Sequence, residues 1–299
     1  MTDTLTGLRR KIDSAGDLKS VVRTMKASAA ASIGQYEKSV AALADYARTV
    51  ELGLGASVRS NERADGRAAA FDIRRAPTDG DVVHAIVFGS DQGLVGRFNE
   101  VLVDYAMAEL ALLAGKPRVW AVGARAHERL ADAGILVTGG FTVPGSVHAI
   151  TSLVGRLLVE CLGPSWTPGT GQLLLFYNRP QDRAGYGPVS QRLLPLDGIW
   201  LRNLADNPWP TGNLPEVIGD APATLRALIH EYLFISLFRA SAESLASENA
   251  SRLAAMQRAD RNIGELLESL NAKFHRLRQS GIDEELFDVI AGFDALSAT

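Results

Sequence analysis

Residues 18–54 read LKSVVRTMKASAAASIGQYEKSVAALADYARTVELGL, and this stretch decides the fold of the N-terminal part. Apolar or small residues recur in it at steps of three and four. They are Leu18, Val22, Met25, Ala29, Ile33, Tyr36, Val40, Leu43, Ala47, Val50 and Leu54. Such steps, kept over about five heptads, predict one long helix that buries a coiled-coil seam.

The C-terminal part repeats this pattern less regularly. Its apolar positions are Leu225, Leu228, Tyr232, Ile235, Ala242, Leu245, Leu253, Met256, Ile263, Leu267, Leu270, Phe274 and Leu277. Polar residues interrupt the seam near Asn249 and Asp260. No proline precedes Pro77 or follows Pro222, and because proline breaks helices, both ends can form long ones. We expect the two ends to pair as an antiparallel coiled coil; a separate helical bundle is the alternative.

The middle of the chain alternates short β-branched runs with helical segments, which is typical of a parallel sheet. The predicted strands are Val82–Phe88, Arg118–Val122, Ile135–Val137, Gln172–Tyr177 and an edge strand Val189–Leu196. The predicted helices are Phe98–Leu113, Arg125–Ala133 and Val147–Leu162. Residues 55–80 and 197–222 are rich in turn formers and are predicted to be joints.

The predicted fold class is therefore α/β: a long antiparallel coiled coil of the terminal helices plus a central Rossmann-like α/β domain. The expected division is an N-terminal coiled-coil helix over residues 1–57, the central domain over 58–220 and a C-terminal coiled-coil helix over 221–299.

Composition excludes several classes of protein. A net charge of −3 gives no general electrostatic basis for nucleic-acid binding. The single cysteine, Cys161, cannot form an internal disulfide; it ends an apolar run and is expected to be buried and inert in a reducing compartment. We expect no signal peptide and no membrane span, since the most apolar stretch, Leu225–Phe238, contains Arg226, His230 and Glu231. A cytoplasmic location follows.

Candidate chemistry is sparse. The glycine cluster Gly89–Gly96 follows a predicted strand, where a phosphate loop would sit, but its spacing matches neither nucleotide-binding pattern, and glycines also serve tight turns. The five histidines lack metal-ligand spacing. We therefore predict no catalytic residue, no cofactor and no metal. A basic stretch from Arg9 to Lys26 is either a solvated face or a surface for an acidic partner.

Three local patterns carry a family resemblance. The first is Leu8-Arg-Arg-Lys-Ile-Asp-Ser14 followed by Val21-Val-Arg-Thr-Met-Lys-Ala-Ser-Ala-Ala-Ala31. The second, called the glycine motif below, is Ser90-Asp-Gln-Gly-Leu-Val-Gly-Arg-Phe-Asn99. The third, called the helix motif, is Ser247-Glu-Asn-Ala-Ser-Arg-Leu-Ala-Ala-Met-Gln-Arg-Ala-Asp-Arg-Asn262. In this order, they make the chain resemble the gamma subunit of F-type rotary ATP synthases from end to end.

The resemblance implies a rotor that couples ion movement to ATP synthesis or hydrolysis on the beta subunits and is itself not catalytic. The implied partners are alpha and beta subunits in a 3:3:1 complex, an epsilon subunit and a membrane c-ring. The implied location is peripheral, on the cytoplasmic face of a bacterial plasma membrane. A ligand-binding α/β protein that dimerises through helical arms and an unrelated scaffold coiled coil are the alternatives.

The resemblance also implies site residues. Those expected to contact the alpha–beta ring are Arg23, Met25, Lys26, Arg252, Arg278 and Gln279. In the central domain, the matched positions are Gly93, Gly96, Phe98 and Asn99. Departures such as Gly34, Val95 and Arg97 suggest a divergent branch, for which we expect an alternative ATPase operon.

Overall fold

The structure, a computed structural model, describes residues 4–65, 82–113, 117–163, 171–181, 185–213, 215–216 and 219–297. Its helices are α1 Leu5–Ala42, α2 Ala44–Asp65, α3 Phe98–Ala111, α4 Ala124–Asp132, α5 Val147–Leu162, α6 Gly198–Asp206 and α7 Ala221–Ser297. Its strands are β1 Val83–Phe88, β2 Arg118–Val122, β3 Val137–Phe141, β4 Gln172–Gln181 and β5 Gly185–Leu194.

The chain forms two compact units. The coil unit comprises Met1–Ala29 and Leu253–Thr299, and the α/β unit comprises Ala30–Arg252. The long helices α1 and α7 supply residues to both. The predicted division at residues 57 and 220 follows the type of element rather than compactness, and it stays a prediction.

In the coil unit, the described parts of α1 and α7 pair antiparallel, as predicted. Leu8, Ala15 and Val22 are buried at intervals of seven residues. The contacts run in opposite directions along the two helices. Lys26 reaches Asp260, while a Cβ on Gly264 would lie 3.5 Å from Lys19 Nζ. The seam differs from the predicted one at Leu18, which is 57% exposed because the buried stripe runs through Ala15 and Val22 instead.

In the α/β unit, the predicted uninterrupted N-terminal helix is wrong at one position. Leu43 forms a turn between α1 and α2, and its amide N–H donates to Val40 O at 3.2 Å, one residue closer than in an α-helix. The heptad pattern of buried residues continues beyond the turn at Leu43. Val50 and Leu54, beyond it, are buried as the seam predicts.

The five strands form one sheet in the order β3-β2-β1-β4-β5. The pairs β1–β2, β1–β4 and β2–β3 are parallel, and β5 lies antiparallel to β4 at the edge. Phe88, the last residue of β1, is level with Val122 of β2 and Tyr177 of β4. The loops that follow β1 and β2 therefore begin at one common edge, the carboxyl edge of the sheet.

Each face of the sheet carries its own core. Ala85 and Val87 of β1 pack with side chains of α3 and α4, such as Leu102 and Leu130. Ile86 and Phe88 point to the other face and pack with α5, α6 and the α/β-unit part of α7. This alternation follows from the period of two along a strand and gives a layered α/β fold.

Two sequence predictions in this unit are wrong in detail. The strand predicted at Ile135–Val137 is Val137–Phe141, with Gly139 close to the Trp120 ring: a Cβ there would lie 3.1 Å from Trp120 Cδ1. The predicted joints are also partly helical. Helix α2 extends to Asp65, and α6 occupies 198–206, where Asp197 Oδ1 caps it by accepting from Ile199 N and Trp200 N. Residues 66–80 lie outside the described residues.

Candidate partner-binding surfaces

The first candidate surface lies on the coil unit around Met25. Arg23 and Lys26 flank this half-buried methionine, and both reach the carboxylate of Asp260 on α7, at 3.6 Å from Arg23 Nε and 3.5 Å from Lys26 Nζ. Since both basic side chains remain largely exposed, these ion pairs contribute little stability. They orient two cations that still have N–H groups to offer to a partner carboxylate.

The second surface is the C-terminal part of α7. Arg278 and Gln279 are exposed there, and a series of exposed large apolar side chains follows them. We call this series the apolar tip: Ile282, Leu286, Phe287, Val289, Ile290 and Phe293. Phe293, for instance, is 71% exposed. Apolar side chains gathered in this way on a soluble helix mark an interaction site.

The glycine motif forms the loop between β1 and α3 at the carboxyl edge. Its two ends are joined by side chains: Ser90 N donates to Asn99 Oδ1 at 2.9 Å, and Asn99 Nδ2 donates to Ser90 Oγ at 2.8 Å. Phe98 is fully buried, and its carbonyl accepts from Asn178 Nδ2 at 3.0 Å. Phe98 and Asn99 thus fix the loop from inside.

Asp91 connects this loop to the neighbouring strands. Its two carboxylate oxygens accept from Ala124 N at 2.9 Å, at the start of α4, and from Val143 N at 2.8 Å, after β3. Free amides at this edge are what bind phosphate in nucleotide-binding α/β folds. Here an internal carboxylate takes two of them.

The glycines of the motif have different roles. Gly96 has a positive φ of 55°, which glycine adopts at no steric cost. Gly93 has open space around it, since a Cβ there would meet nothing within 4 Å. Leu94 also has a positive φ, 62°, although it is not a glycine, and its side chain is 62% exposed. The tip of the loop is therefore an exposed, strained turn on a fixed base.

The first six residues of the helix motif, Ser247–Arg252, lie in the α/β unit. Arg252, predicted to contact a partner, is turned inward: its Nη2 donates to Glu248 Oε1 at 2.6 Å, and its side chain is only 13% exposed. Burial raises the pKa of Glu248, while the ion pair with Arg252 opposes that rise and the charge of Asp91 adds to it. The structure thus brings Arg252 together with Glu248 and Asn249 and not with Arg278 or Gln279.

Sequence reasoning missed the contact of α7 with the end of β1 and with the glycine motif that follows it. Ser244 Oγ donates to Phe88 O at 3.0 Å, and Ser251 Oγ donates to Val95 O at 2.5 Å. It also missed a cleft of about 510 Å³ in the α/β unit, near the Leu43 turn, whose lining includes Arg179, Trp200 and Tyr232. The only signal for the first contact was the high content of Ser and Ala between Ser241 and Ser251, on a helix that the middle domain has to pack against.

The comparisons with known proteins cover the whole chain. A family model described as ATP synthase matches residues 4–296. The chain belongs to the ATP synthase gamma family. The ATP synthase gamma chain of Moorella thermoacetica is 27% identical over 97% of this chain and 98% of its own length. The gamma chain of a Parafrankia species is 28% identical over 100% of this chain and 99% of its own.

Solved structures agree in fold. A chain of the Euglena gracilis mitochondrial ATP synthase matches with a TM-score of 0.60 at 15% identity, covering 98% of this chain and 95% of its own. A chain of the Tetrahymena thermophila central stalk and c-ring matches with a TM-score of 0.55 at 18% identity, over 80% and 99%. The gamma-family fold and rotor function indicated by the three motifs are confirmed at the level of the family.

Cys161 is buried, and burial raises the pKa of its thiol. No helix in the described parts of the chain is long and apolar enough to cross a membrane. The described side chains also contain no cluster of three or more His, Cys, Asp and Glu that could hold a metal ion.

Proposed function

We propose that this chain is the rotating central shaft of a bacterial F-type ATP synthase, which couples ion flow through a membrane ring to ATP synthesis or hydrolysis on partner subunits. The observation that carries the proposal is the apolar tip of α7. Six large apolar side chains lie in water there, on the same helix as the family's most specific motif. A surrounding protein that covers them accounts for their exposure.

The covering protein that we propose is a ring of three alpha and three beta subunits. A single helix pair inside such a ring meets three identical neighbours with three different sides. The side of the shaft that each neighbour meets would then favour one nucleotide state in that neighbour: ATP-bound, ADP-bound or empty. By linkage, a change of nucleotide state acts back on the shaft as torque.

The contacts with the ring follow from exposure and charge. Arg278 and Gln279 are exposed, and the Arg278 guanidinium can bind a carboxylate with two hydrogen bonds. Arg23, Met25 and Lys26 form a second contact through the two oriented cations. Arg252 would reach the ring only after leaving Glu248, so we place it last among the proposed contacts.

We further propose that the chain itself has no catalytic site and binds no nucleotide. What supports this is the carboxylate of Asp91 at the carboxyl edge of the sheet. It takes the amides of Ala124 and Val143, and its negative charge opposes a phosphate at that place. ATP chemistry then resides on the beta subunits.

The remaining partners and the location follow from the family. We propose that the α/β unit contacts an epsilon subunit and the membrane c-ring; the Tetrahymena neighbour is itself described as central stalk and c-ring. The chain would then be a peripheral protein on the cytoplasmic face of a bacterial plasma membrane. Its curated relatives include bacterial gamma chains.

Co-expression with the alpha and beta subunits of the same organism tests the proposal. We expect a 3:3:1 complex whose steady ATP hydrolysis depends on this chain. A chain ending at Gly281, which lacks the apolar tip, should form less complex at equal expression. A matched variant, Glu284→Gln with Glu285→Gln, changes exposed carboxylates of the same segment and should assemble normally. A stable homodimer that leaves alpha and beta unaffected would refute the rotor function.

A further inference from the structure

Two of the three sequence motifs meet in the α/β unit and form one contact. Ser244 and Ser251 are seven residues apart on α7, which places them two turns apart on the same face, about 10 Å along the helix axis. Their hydroxyls donate to Phe88 O, at the end of β1, and to Val95 O, in the glycine motif. We call this pair of hydrogen bonds the serine clamp.

Glu248 lies between the two serines on that face. The charge of Asp91 raises its pKa, as burial does more strongly, so Glu248 and Asp91 are electrostatic neighbours across the same contact. Glu248 Oε1 is held by Arg252 Nη2 at 2.6 Å. Three successive turns of α7 therefore face the loop that follows β1.

The loop on the other side of the clamp is fixed to the rest of the sheet. Asp91 joins it to the amides of Ala124 and Val143, next to β2 and β3. Ser251 Oγ is also 3.3 Å from the hydroxyl of Tyr186 on β5, whose ring lies 5.5 Å from that of Phe98. These contacts connect the clamp to strands on either side of β1: to β2 and β3 in one direction and to β5 in the other.

The clamp differs physically from the apolar contacts around it. Apolar burial is non-directional, so it restrains a small rotation of a helix less sharply than a directed bond does. Hydrogen bonds depend steeply on distance and angle, and they fix one register. Both acceptors are buried main-chain carbonyls, which cost free energy when they lose their donors.

We propose that Ser244 and Ser251 are positioning residues of rotary coupling: they fix the register of α7 on the loop after β1, so that torque on the helix turns the α/β unit with it. This inference rests on the proposed rotor function. In that function, the helix takes up torque at one end and the α/β unit delivers it to the membrane ring. Without these two hydrogen bonds, α7 would rotate under load by a larger angle than the α/β unit.

The test uses the whole ATP synthase in inverted membrane vesicles. ATP hydrolysis and the resulting membrane potential are measured together, the potential with an oxonol dye. The ratio of potential to hydrolysis reports coupling whichever cation is transported. The variant is Ser244→Ala with Ser251→Ala. The control is Ser247→Ala: Ser247 is buried on the same helix, but its hydroxyl has no hydrogen-bond partner among the described residues.

We expect the double variant to keep hydrolysis within about twofold of wild type, while the potential generated per ATP falls by up to about tenfold, the factor that two weak buried hydrogen bonds supply. Ser247→Ala should keep the wild-type ratio, and Ser244→Ala with Ser251→Thr, which restores one hydroxyl, should recover part of it. A second readout is torsional compliance in single-molecule rotation, which should rise in the double variant alone.

Several results would overturn the inference. One is a wild-type ratio in the double variant; another is an equal loss in Ser247→Ala, which would point to packing. Should the double variant not assemble, the two single alanine variants decide by the same ratio. If the wild-type chain itself supports no hydrolysis with alpha and beta, the rotor function fails, and that result is distinct from a failure of the clamp.

Discussion

Arg252 Nη2 lies 2.6 Å from Glu248 Oε1, one helical turn away on α7, and both side chains are almost fully buried. Glu248 Oε2 and Arg252 Nε are also buried and have no hydrogen-bond partner among the described residues. The two side chains therefore form one short ion pair, while each keeps a buried polar atom that lacks a hydrogen bond within the described part of the chain. Burial outweighs the attraction to Arg252, so the pKa of Glu248 is raised and not lowered. Glu248 and Arg252, the charged residues of the helix motif that lie in the α/β unit, thus form an internal pair.

Removing one charge of the Glu248–Arg252 pair should lower the free energy of unfolding more than removing both charges. Glu248→Ala leaves a buried guanidinium without a counter-charge, and we expect it to lower the free energy of unfolding by about 3–5 kcal/mol. Glu248→Met with Arg252→Leu removes both charges and should cost clearly less. Urea unfolding of the full chain measures both. A double variant as unstable as the sum of the Glu248→Met and Arg252→Leu single variants would show that the charges do not interact.

Two glycines of the carboxyl edge should differ in how strongly alanine destabilises the fold. A Cβ on Gly89 would lie 2.3 Å from Ala126 Cβ and 2.7 Å from Asn99 Oδ1, so α4 or the loop has to move. We expect Gly89→Ala to cost about 1–3 kcal/mol in urea unfolding. Gly93→Ala meets open space and serves as the control, with an expected change within about 0.5 kcal/mol. Equal effects would contradict this packing.

The elements that the sequence predicted best are those with a strong local signal. Helix α5 begins at Val147 and ends at Leu162, as predicted, because Ser146 caps its N-terminus and Gly163 follows its last residue. Strand β3 was misplaced because its two glycines, Gly139 and Gly140, have a low strand propensity. Its glycines lie close to the Trp120 and His127 rings, and neither contact is visible in the sequence.

Contacts in the candidate surfaces were also missed, because they join residues that are far apart in the sequence. The three motifs were found as patterns of residue types, and their order sufficed to indicate the family. The pairing of Ser244 with Phe88, and of Ser251 with Val95, joins residues 156 positions apart. No periodicity encodes such a pairing. The inward turn of Arg252 was missed for the same reason, since an arginine on a long helix is expected to be solvated.

The pH dependence of stability should contain a contribution from His84. Its ring stacks on Trp120 at a centroid distance of 5.1 Å, and burial, together with the charge of Arg118, lowers its pKa from the ordinary value of 6.5. Between the lowered value and 6.5, the unfolded chain binds more protons than the folded one, so stability falls as the pH falls through this window.

His84→Gln should remove this contribution, and the difference in melting temperature between wild type and variant should change as the pH is lowered from 7 to 5.5. His230 is exposed on α7, so His230→Gln is the control and should follow wild type across the same range. An identical pH slope in wild type and His84→Gln would mean that the ring is not protonated on unfolding.

Arg278 and Gln279 should matter for partners and not for folding. Both are exposed on α7, so Arg278→Ala and Gln279→Ala should change the free energy of unfolding of the isolated chain by no more than about 0.5 kcal/mol. In the complex with alpha and beta, a lost charge-assisted contact at the ring should lower ATP hydrolysis by about tenfold for Arg278→Ala.

Lys273 provides the matched control for this pair. It is an equally exposed long side chain on the same helix, five residues before Arg278, and the family resemblance gives it no contact. Lys273→Ala should leave both folding and hydrolysis at the wild-type level. If all three variants hydrolyse ATP at the same rate, the ring does not use Arg278 or Gln279, and the oriented pair Arg23 and Lys26 becomes the next contact to vary. If all three fall together, loss of helicity in α7 explains the result, which circular dichroism of the isolated variants would detect.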